Sequence, residues 1–188
     1  SYISLQPALT GAQVNGLLAR YSKKIGPDPA SINAAMIGGI AANNASGMCC
    51  GISQNSYKTL KSMKLIFADG AKLDTGCQES KDAFRKTHGD FLKELKNFSN
   101  DTKNNEELRA KIERKFKIKN TCGYSLNALI DCEDEFEILE HLIIGSEGTL
   151  AFIEEITYYT VEDLKDKASS LIYFKDIKEA CSAVTKLK

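Results

Sequence analysis

The segment GPDPASINAAMIGGIAANNASGMCCG, from Gly26 to Gly51, constrains the fold more than any other part of the chain. It is built from Gly, Ala, Ser, Asn and Pro, and Asp28 is its only charged residue. Glycine admits positive φ and brings no side chain, so a backbone of this composition accepts close approach by another chain segment or by a ligand. Neither GxGxxG nor GxxxxGK[ST] occurs in the run, which disfavours a dinucleotide-binding Rossmann turn and a P-loop. Two readings remain open: a loop that contacts a ligand through its amides, or tight turns that pack well.

The rest of the sequence is charge-rich and patterned. Thr10 to Ile25 places Val14, Leu17, Leu18, Tyr21 and Ile25 on one helical face, with Thr10 and Gln13 spaced as a capping box and Gly26 as the stop. SMKLIFADGAKLDTG alternates Met63, Leu65 and Phe67 before Asp69-Gly70, then Leu73, which predicts a β-hairpin. Residues 79–117 turn to Lys, Glu and Asn and predict two amphipathic helices, one with Phe84, Phe91, Leu92, Leu95 and Phe98, the other with Leu108, Ile112 and Phe116 capped by Asn104 and Glu107. In a fold otherwise rich in glycine, this pair reads as a helical insertion with a solvated charged face. Asp134 and Glu137 cap a further helix that stops at Gly145, and the turn Gly145-Ser146-Glu147-Gly148-Thr149 leads into a strand with Leu150, Phe152, Ile156 and Tyr158 at alternate positions. SSLIYF reads as a strand and Asp176 to Lys188 as a helix with Ile177, Ala180, Cys181 and Val184 inward. The polar VEDLKDKA before them places a domain boundary near residue 163, so 1–163 form one domain and 164–188 begin another.

Composition narrows the function classes. Twenty-five basic and 25 acidic residues in 188 balance, which gives no electrostatic reason to expect nucleic acid or an anionic membrane as partner. The longest apolar runs fall far short of the ~20 residues a transmembrane helix needs, and SYISLQPALTG lacks the layout of a signal peptide. Six cysteines without a CxxC pair read as reduced thiols of a cytoplasmic protein, and adjacent Cys49 and Cys50 as ordinary packing. His88 and His141 lack metal-ligand spacing, so no metal site is expected, and both read as helix-surface residues. An opening without methionine inside a strand, and an ending on a helical pattern, read as a piece of a longer protein.

Five segments in order carry a resemblance that composition does not: GPDPAS, IGGIAANNASG, YKTLKSMKLIFADGAKLDTG, KNTCGYSLNALID and IGSEGTLAFIEEIT. Together they resemble the flavin-binding domain of the FAD-linked 2-hydroxyacid dehydrogenases, the vanillyl-alcohol-oxidase (PCMH) type that includes glycolate oxidase, D-lactate dehydrogenase and D-2-hydroxyglutarate dehydrogenase. NNASGMCCG and KNTCGYSLNALID resemble the large bacterial branch in which a flavin half accompanies an iron–sulfur half. The resemblance covers residues 2–188 and implies an α+β fold, the second subdomain of a PCMH-type FAD-binding domain, with an antiparallel sheet flanked by helices.

It also implies FAD as cofactor, with Pro27, Asp28 and Ser31 near the isoalloxazine and ribityl region, Gly38, Gly39, Asn43, Ser46 and Gly47 lining the channel, and Glu147, Gly148, Thr149 and Ile153 beside the flavin–adenine portion. The family's Gly-rich pyrophosphate loop, resembling RGGGTSLSGQ, has no counterpart here, and the substrate domain is barely begun. The implied partners are therefore a missing N-terminal flavin subdomain, an iron–sulfur half carrying its cluster, and a small 2-hydroxy acid. No residue of this chain is expected to be catalytic. The implied location is cytoplasmic, or peripheral at the inner face of the membrane. The alternative function is a non-enzymatic ligand-binding or assembly module on the same scaffold.

Overall fold

A computed structural model describes residues 1–47, 49–166 and 168–187. Met48 of the glycine-rich run, Lys167 of the expected linker and Lys188 of the expected last helix lie outside the described residues. The architecture is α+β, an antiparallel sheet flanked by helices, as the resemblance implies.

The strands are β1 (Tyr2–Leu5), β2 (Lys23–Ile25), β3 (Leu60–Ile66), β4 (Lys72–Asp74) and β5 (Phe152–Glu162). β5 is the hub: β1 pairs with it from Tyr2↔Tyr159 to Leu5↔Ile156, β2 from Lys23↔Glu162 to Ile25↔Thr160, and β3 from Leu60↔Tyr158 to Ile66↔Phe152, all antiparallel. β4 closes the other edge of β3 through the predicted hairpin, where Gly70 takes φ 85° and Asp69 Oδ1 accepts from Ala71 N.

The first helix is shorter than its periodicity predicts. α1 (Gly11–Leu18) has the capping box, with Thr10 Oγ1 accepting from Gln13 N and Gln13 Oε1 accepting from Thr10 N. A 3₁₀ turn over Ala19–Tyr21 then ends at Ser22, whose φ of 54° is left-handed. Ile25, expected on the helix, is instead a fully buried strand residue whose N–H is bonded by Asn15 Oδ1. Pairing with β5 outcompetes the helical pattern, and Leu17 and Tyr21 stay exposed.

The strand β5 departs from the simple alternation expected of it. Ile153 pairs with Leu65, Glu155 with Lys64, and the register shifts between them. The extra residue of this bulge changes which parity faces inward. Ile153 is therefore buried before it and Ile156 and Tyr158 after it, while Phe152 is exposed and Leu150 lies outside the strand.

The expected helical pair is present as α4 (Gln78–Asn104) and α5 (Glu106–Phe116). Their cap is Asn105, whose Oδ1 accepts from Leu108 N, not Asn104, which is still inside α4. The buried face of α4 is Phe84, Leu92, Ser99 and Thr102; Phe91 and Phe98 are exposed. His88 takes non-helical angles there, stacks on Phe84 at 4.2 Å between ring centroids and meets Asp69 Oδ2 at 2.9 Å. Phe84 and Leu92 belong to the main core with Met63, Leu65, Phe136 and Tyr158, so α4 is packed into the sheet domain.

Toward the C-terminus, α6 (Ala128–Asp131) and α7 (Glu135–Ile143) pack on α4, and Asp134 Oδ1 caps α7 through Phe136 N and Glu137 N. The expected strand at SSLIYF does not form: residues 168–174 carry no regular structure, because no strand stands beside them among the described residues. A terminal helix does form over Ile177–Leu187, with Asp176 Oδ1 accepting from Glu179 N, yet it buries none of its residues and leaves Ile177 82% exposed.

Candidate functional site

The glycine-rich run folds as an irregular loop, then α2 (Ile37–Asn43), then a turn. Ile37, Ile40 and Ala41 are buried and leave Gly38, Gly39 and Ala42 less covered. Three glycines are required by neighbouring chain. A Cβ on Gly26 would lie 2.3 Å from Gln54 O, one on Gly38 2.8 Å from Pro7 Cβ, and one on Gly47 1.7 Å from Asp28 O. Gly39 is different, since a Cβ there would meet nothing within 4 Å. Both readings of the run therefore apply, at different positions: packing explains Gly26, Gly38 and Gly47 and leaves Gly39 without an internal reason.

The end of α2 is joined to the turn before β5. Asn44 ends the helix with φ 48°, Gly145 N donates to Ala41 O at 3.1 Å, and Glu147 N donates to Ala42 O at 2.9 Å. Glu147 and Gly148 are both left-handed, with φ of 54° and 75°. Asn43 Nδ2 donates to Glu147 Oε1 at 2.6 Å, so the Glu147 carboxylate is held as a turn acceptor. Thr149 Oγ1 donates to Ser146 O at 2.6 Å and contacts Tyr124 OH at 2.9 Å, while Ser125 Oγ donates to Ile144 O. Two motifs far apart in sequence, IGGIAANN and IGSEGT, are thereby locked together, with CGYSLN as the brace.

Between them lies a cleft of about 180 Å³ lined by Pro7, Gly38, Ala42, Ser146, Gly148, Ala151, Phe152 and Ile153. None of these side chains ionises. Ser146 is 2% exposed, and its Oγ has no hydrogen-bond partner among the described residues, an uncommon state for a buried hydroxyl. Of the residues expected to hold FAD, the structure brings Gly38, Gly148 and Ile153 into this cleft, with Asn43, Glu147 and Thr149 in the frame behind it and Gly39 exposed on the same short helix.

The remaining expected residues stand elsewhere. Pro27 is buried, the Asp28 carbonyl lies against Gly47, and Ser31 is exposed where its carbonyl accepts from Ala34 N and Ala35 N. Ser46 is buried and its carbonyl accepts from Lys119 Nζ. Cys50 is buried with its Sγ accepting from Gly47 N at 3.2 Å, whereas Cys49 is exposed. Sequence reasoning did not select Pro7, Ala42, Ser146, Ala151 or Phe152 for the site. Ser146 was legible, since it sits inside the quoted turn, but Pro7 reaches the cleft only through the tertiary approach of the β1–α1 loop.

Several buried ionisable groups of the body have structural roles. Tyr57 OH donates to Asp131 Oδ2 at 3.0 Å, and burial pushes its phenol well above the ordinary value. Burial raises the Cys132 thiol to about 12, which keeps it unreactive at neutral pH. His141 packs edge-on against Tyr57 at 4.6 Å, donates through Nδ1 to Glu137 O, and is held below its usual pKa by burial. It is a half-buried core histidine and not the surface residue its sequence position implies. Glu140, beside it, is raised to about 7 by burial.

The FAD binding domain family matches residues 1–76, which run from β1 through the glycine-rich segment to the end of the hairpin. No curated protein matches the chain by sequence. Among solved structures, alkyldihydroxyacetonephosphate synthase in two crystal forms is similar at 16% and 17% identity, each with a TM-score of 0.46 over 86% of this chain. The chain spans 19% of the length of those proteins. No helix among the described residues is long and apolar enough to cross a membrane, and no group of metal-binding side chains is present among them. The part of the chain that is similar to the FAD binding domain family thus contains α2 and one wall of the cleft, and the IGSEGT turn beyond it supplies the other.

Proposed function

We propose that this chain is one wall of the FAD site of a flavoprotein oxidoreductase, with the cofactor lying along the exposed face of α2 and the turn Ser146–Thr149. The observation that carries this reading is the coincidence of the FAD binding domain match over residues 1–76 with a non-ionising cleft that holds an unpartnered buried hydroxyl, Ser146 Oγ. The residues present fit the group. Gly39 and Gly148, where a Cβ would meet nothing within 4 Å, let backbone approach a flat ligand, Ser146 supplies a hydrogen bond for which it has no partner among the described residues, and Ile153 with Ala42 gives apolar contact. Pro27, Asp28, Ser31, Ser46 and Gly47 would then meet the cofactor at a second stretch, beyond the cleft. The bound flavin supplies the two-electron chemistry, and this chain binds and orients it.

The reading extends to substrate and partners through the sequence resemblance. The whole protein would oxidise a small 2-hydroxy acid, such as D-lactate or D-2-hydroxyglutarate, to the 2-oxo acid and pass electrons to an iron–sulfur half. A flavin subdomain outside this sequence would bring the pyrophosphate loop. Binding to the 188-residue chain is tested by titrating FAD against the ¹⁵N-labelled protein. Shifts should concentrate at Gly38, Gly39, Gly148 and Ile153, and Gly39→Val, whose Cβ meets no protein atom within 4 Å, should weaken binding at least tenfold at a stability cost under about 1 kcal/mol. Shifts confined to other surfaces, or a Gly39→Val protein that titrates like the parent, would overturn the placement. For the complete gene product, a flavin spectrum bleached by a panel of D- and L-hydroxy acids tests the activity; a spectrum that no hydroxy acid changes counts against the substrate class.

A further inference from the structure

A second cavity, of about 390 Å³, lies between α5 and the α3–α6 side of the body, where α3 is Ser56–Thr59. It shares no lining residue with the flavin cleft, and its volume falls in the range of small-molecule sites. One wall is apolar: Ile112, Phe116, Ile118 and Ile130. The other carries Asn44 and Asn55, each 8% exposed.

The two asparagines are oriented by their own chain. Asn44 Oδ1 accepts from Tyr57 N, and Asn55 Oδ1 accepts from Lys58 N as the cap of α3. With both oxygens committed to backbone, the free pole of each carboxamide is its Nδ2 donor. Neither nitrogen has a protein acceptor among the described residues, and neither is sealed from solvent, which leaves the cavity they line as the place for a partner. The acids on the wall already have partners: Asp131 Oδ2 accepts from Tyr57 and Asn127 and lies 4.0 Å from Lys58 Nζ, and Glu113 pairs with Arg109. Lys117, also lining the cavity, makes no ion pair among the described residues. Two amide donors of largely buried asparagines face an apolar wall whose edge carries the exposed Lys117 cation, the complement of an oxygen anion on an apolar body. Asn127 Oδ1, a buried acceptor without a partner among the described residues, leaves room for a water beside it.

We propose that this cavity binds a small organic carboxylate, its anion on Asn44 Nδ2, Asn55 Nδ2 and Lys117 and its aliphatic or aromatic body on Ile112, Phe116 and Ile130. The site is independent of the flavin reading, since it uses none of the same residues. The probe is 3-phenylpropionate, with 3-phenylpropan-1-ol as its uncharged counterpart, each titrated against the full ¹⁵N-labelled chain. The carboxylate should give saturable shifts at Ile112, Phe116 and Ile130 and bind at least tenfold more tightly than the alcohol. Asn55→Asp keeps the acceptor that caps α3 but removes the donor, and should abolish that tenfold preference while leaving the alcohol unaffected. Ile112→Trp should block both by filling the cavity. The proposal is overturned if the carboxylate does not saturate, if its shifts map elsewhere, if acid and alcohol bind alike to the parent, or if a folded Asn55→Asp protein retains the preference.

Discussion

Glycine at position 47 and glycine at position 39 look alike in the sequence and have different reasons to be there. A Cβ at Gly47 would sit 1.7 Å from the Asp28 carbonyl, a backbone atom that has no rotamer by which to retreat. Gly47→Ala should therefore lower the melting temperature markedly, by an amount equivalent to roughly 1–3 kcal/mol as in other overpacked interiors, whereas Gly39→Val should cost under about 1 kcal/mol; thermal denaturation of the two variants checks the contrast. Glu140 is the second residue-scale case. Its folded pKa, about 7, lies above the ordinary 4.5 because burial disfavours the anion. The folded state consequently holds more protons than the unfolded one between those values, and stability falls as pH rises from about 4.5 to 7. Glu140→Gln removes that slope, so its stability relative to the parent should improve from pH 5 to pH 8 by on the order of 1–3 kcal/mol. Urea denaturation at the two pH values measures it, and a constant difference would remove Glu140 as the cause.

At the scale of elements, legibility followed whether a local signal decided the outcome. The capping box at Thr10 and Gln13, the Asp69-Gly70 hairpin and the Asp134 cap are short-range chemistry and were readable as such. The helix ending at Leu18 was not, since pairing of Lys23–Ile25 with β5 more than 130 residues away overrides the periodicity. The bulge in β5 was invisible for the same reason: a register shift depends on the partner strand, and the buried Ile153 beside an exposed Phe152 reports it. In the site, the turn and the glycines were readable from their motifs, while the cleft depended on Pro7 meeting Gly38. The helical pair gives the element-scale prediction. Phe84 is 3% exposed in the main core and Phe98 is 56% exposed, although both fit the same helical stripe. Phe84→Ala should destabilise by about 3–5 kcal/mol and Phe98→Ala by under about 1 kcal/mol, so trimming residues 79–117 would open the core. Equal effects in denaturant melts would show that α4 is only appended.

For the whole molecule, the distribution of burial separates a packed body from a trailing segment. Among the described residues every buried one lies at or before Tyr158, while Leu171, Tyr173, Ile177 and Leu187 are each at least 79% exposed. Limited proteolysis should cut first between residues 163 and 176 and leave a body whose melting temperature is unchanged; a lowered value would assign the segment a stabilising role. The same division bears on the way the molecule is made. Strands β1, β2 and β3 find no common partner until β5 exists, and Tyr2 must wait for Tyr159. During synthesis at ~5–20 residues per second, the opening strands therefore spend several seconds with open edges before the keystone leaves the ribosome. In that interval the unpaired strand edges, together with core side chains such as Val14, Ile37 and Ile40, are the surfaces that chaperones would have reason to guard.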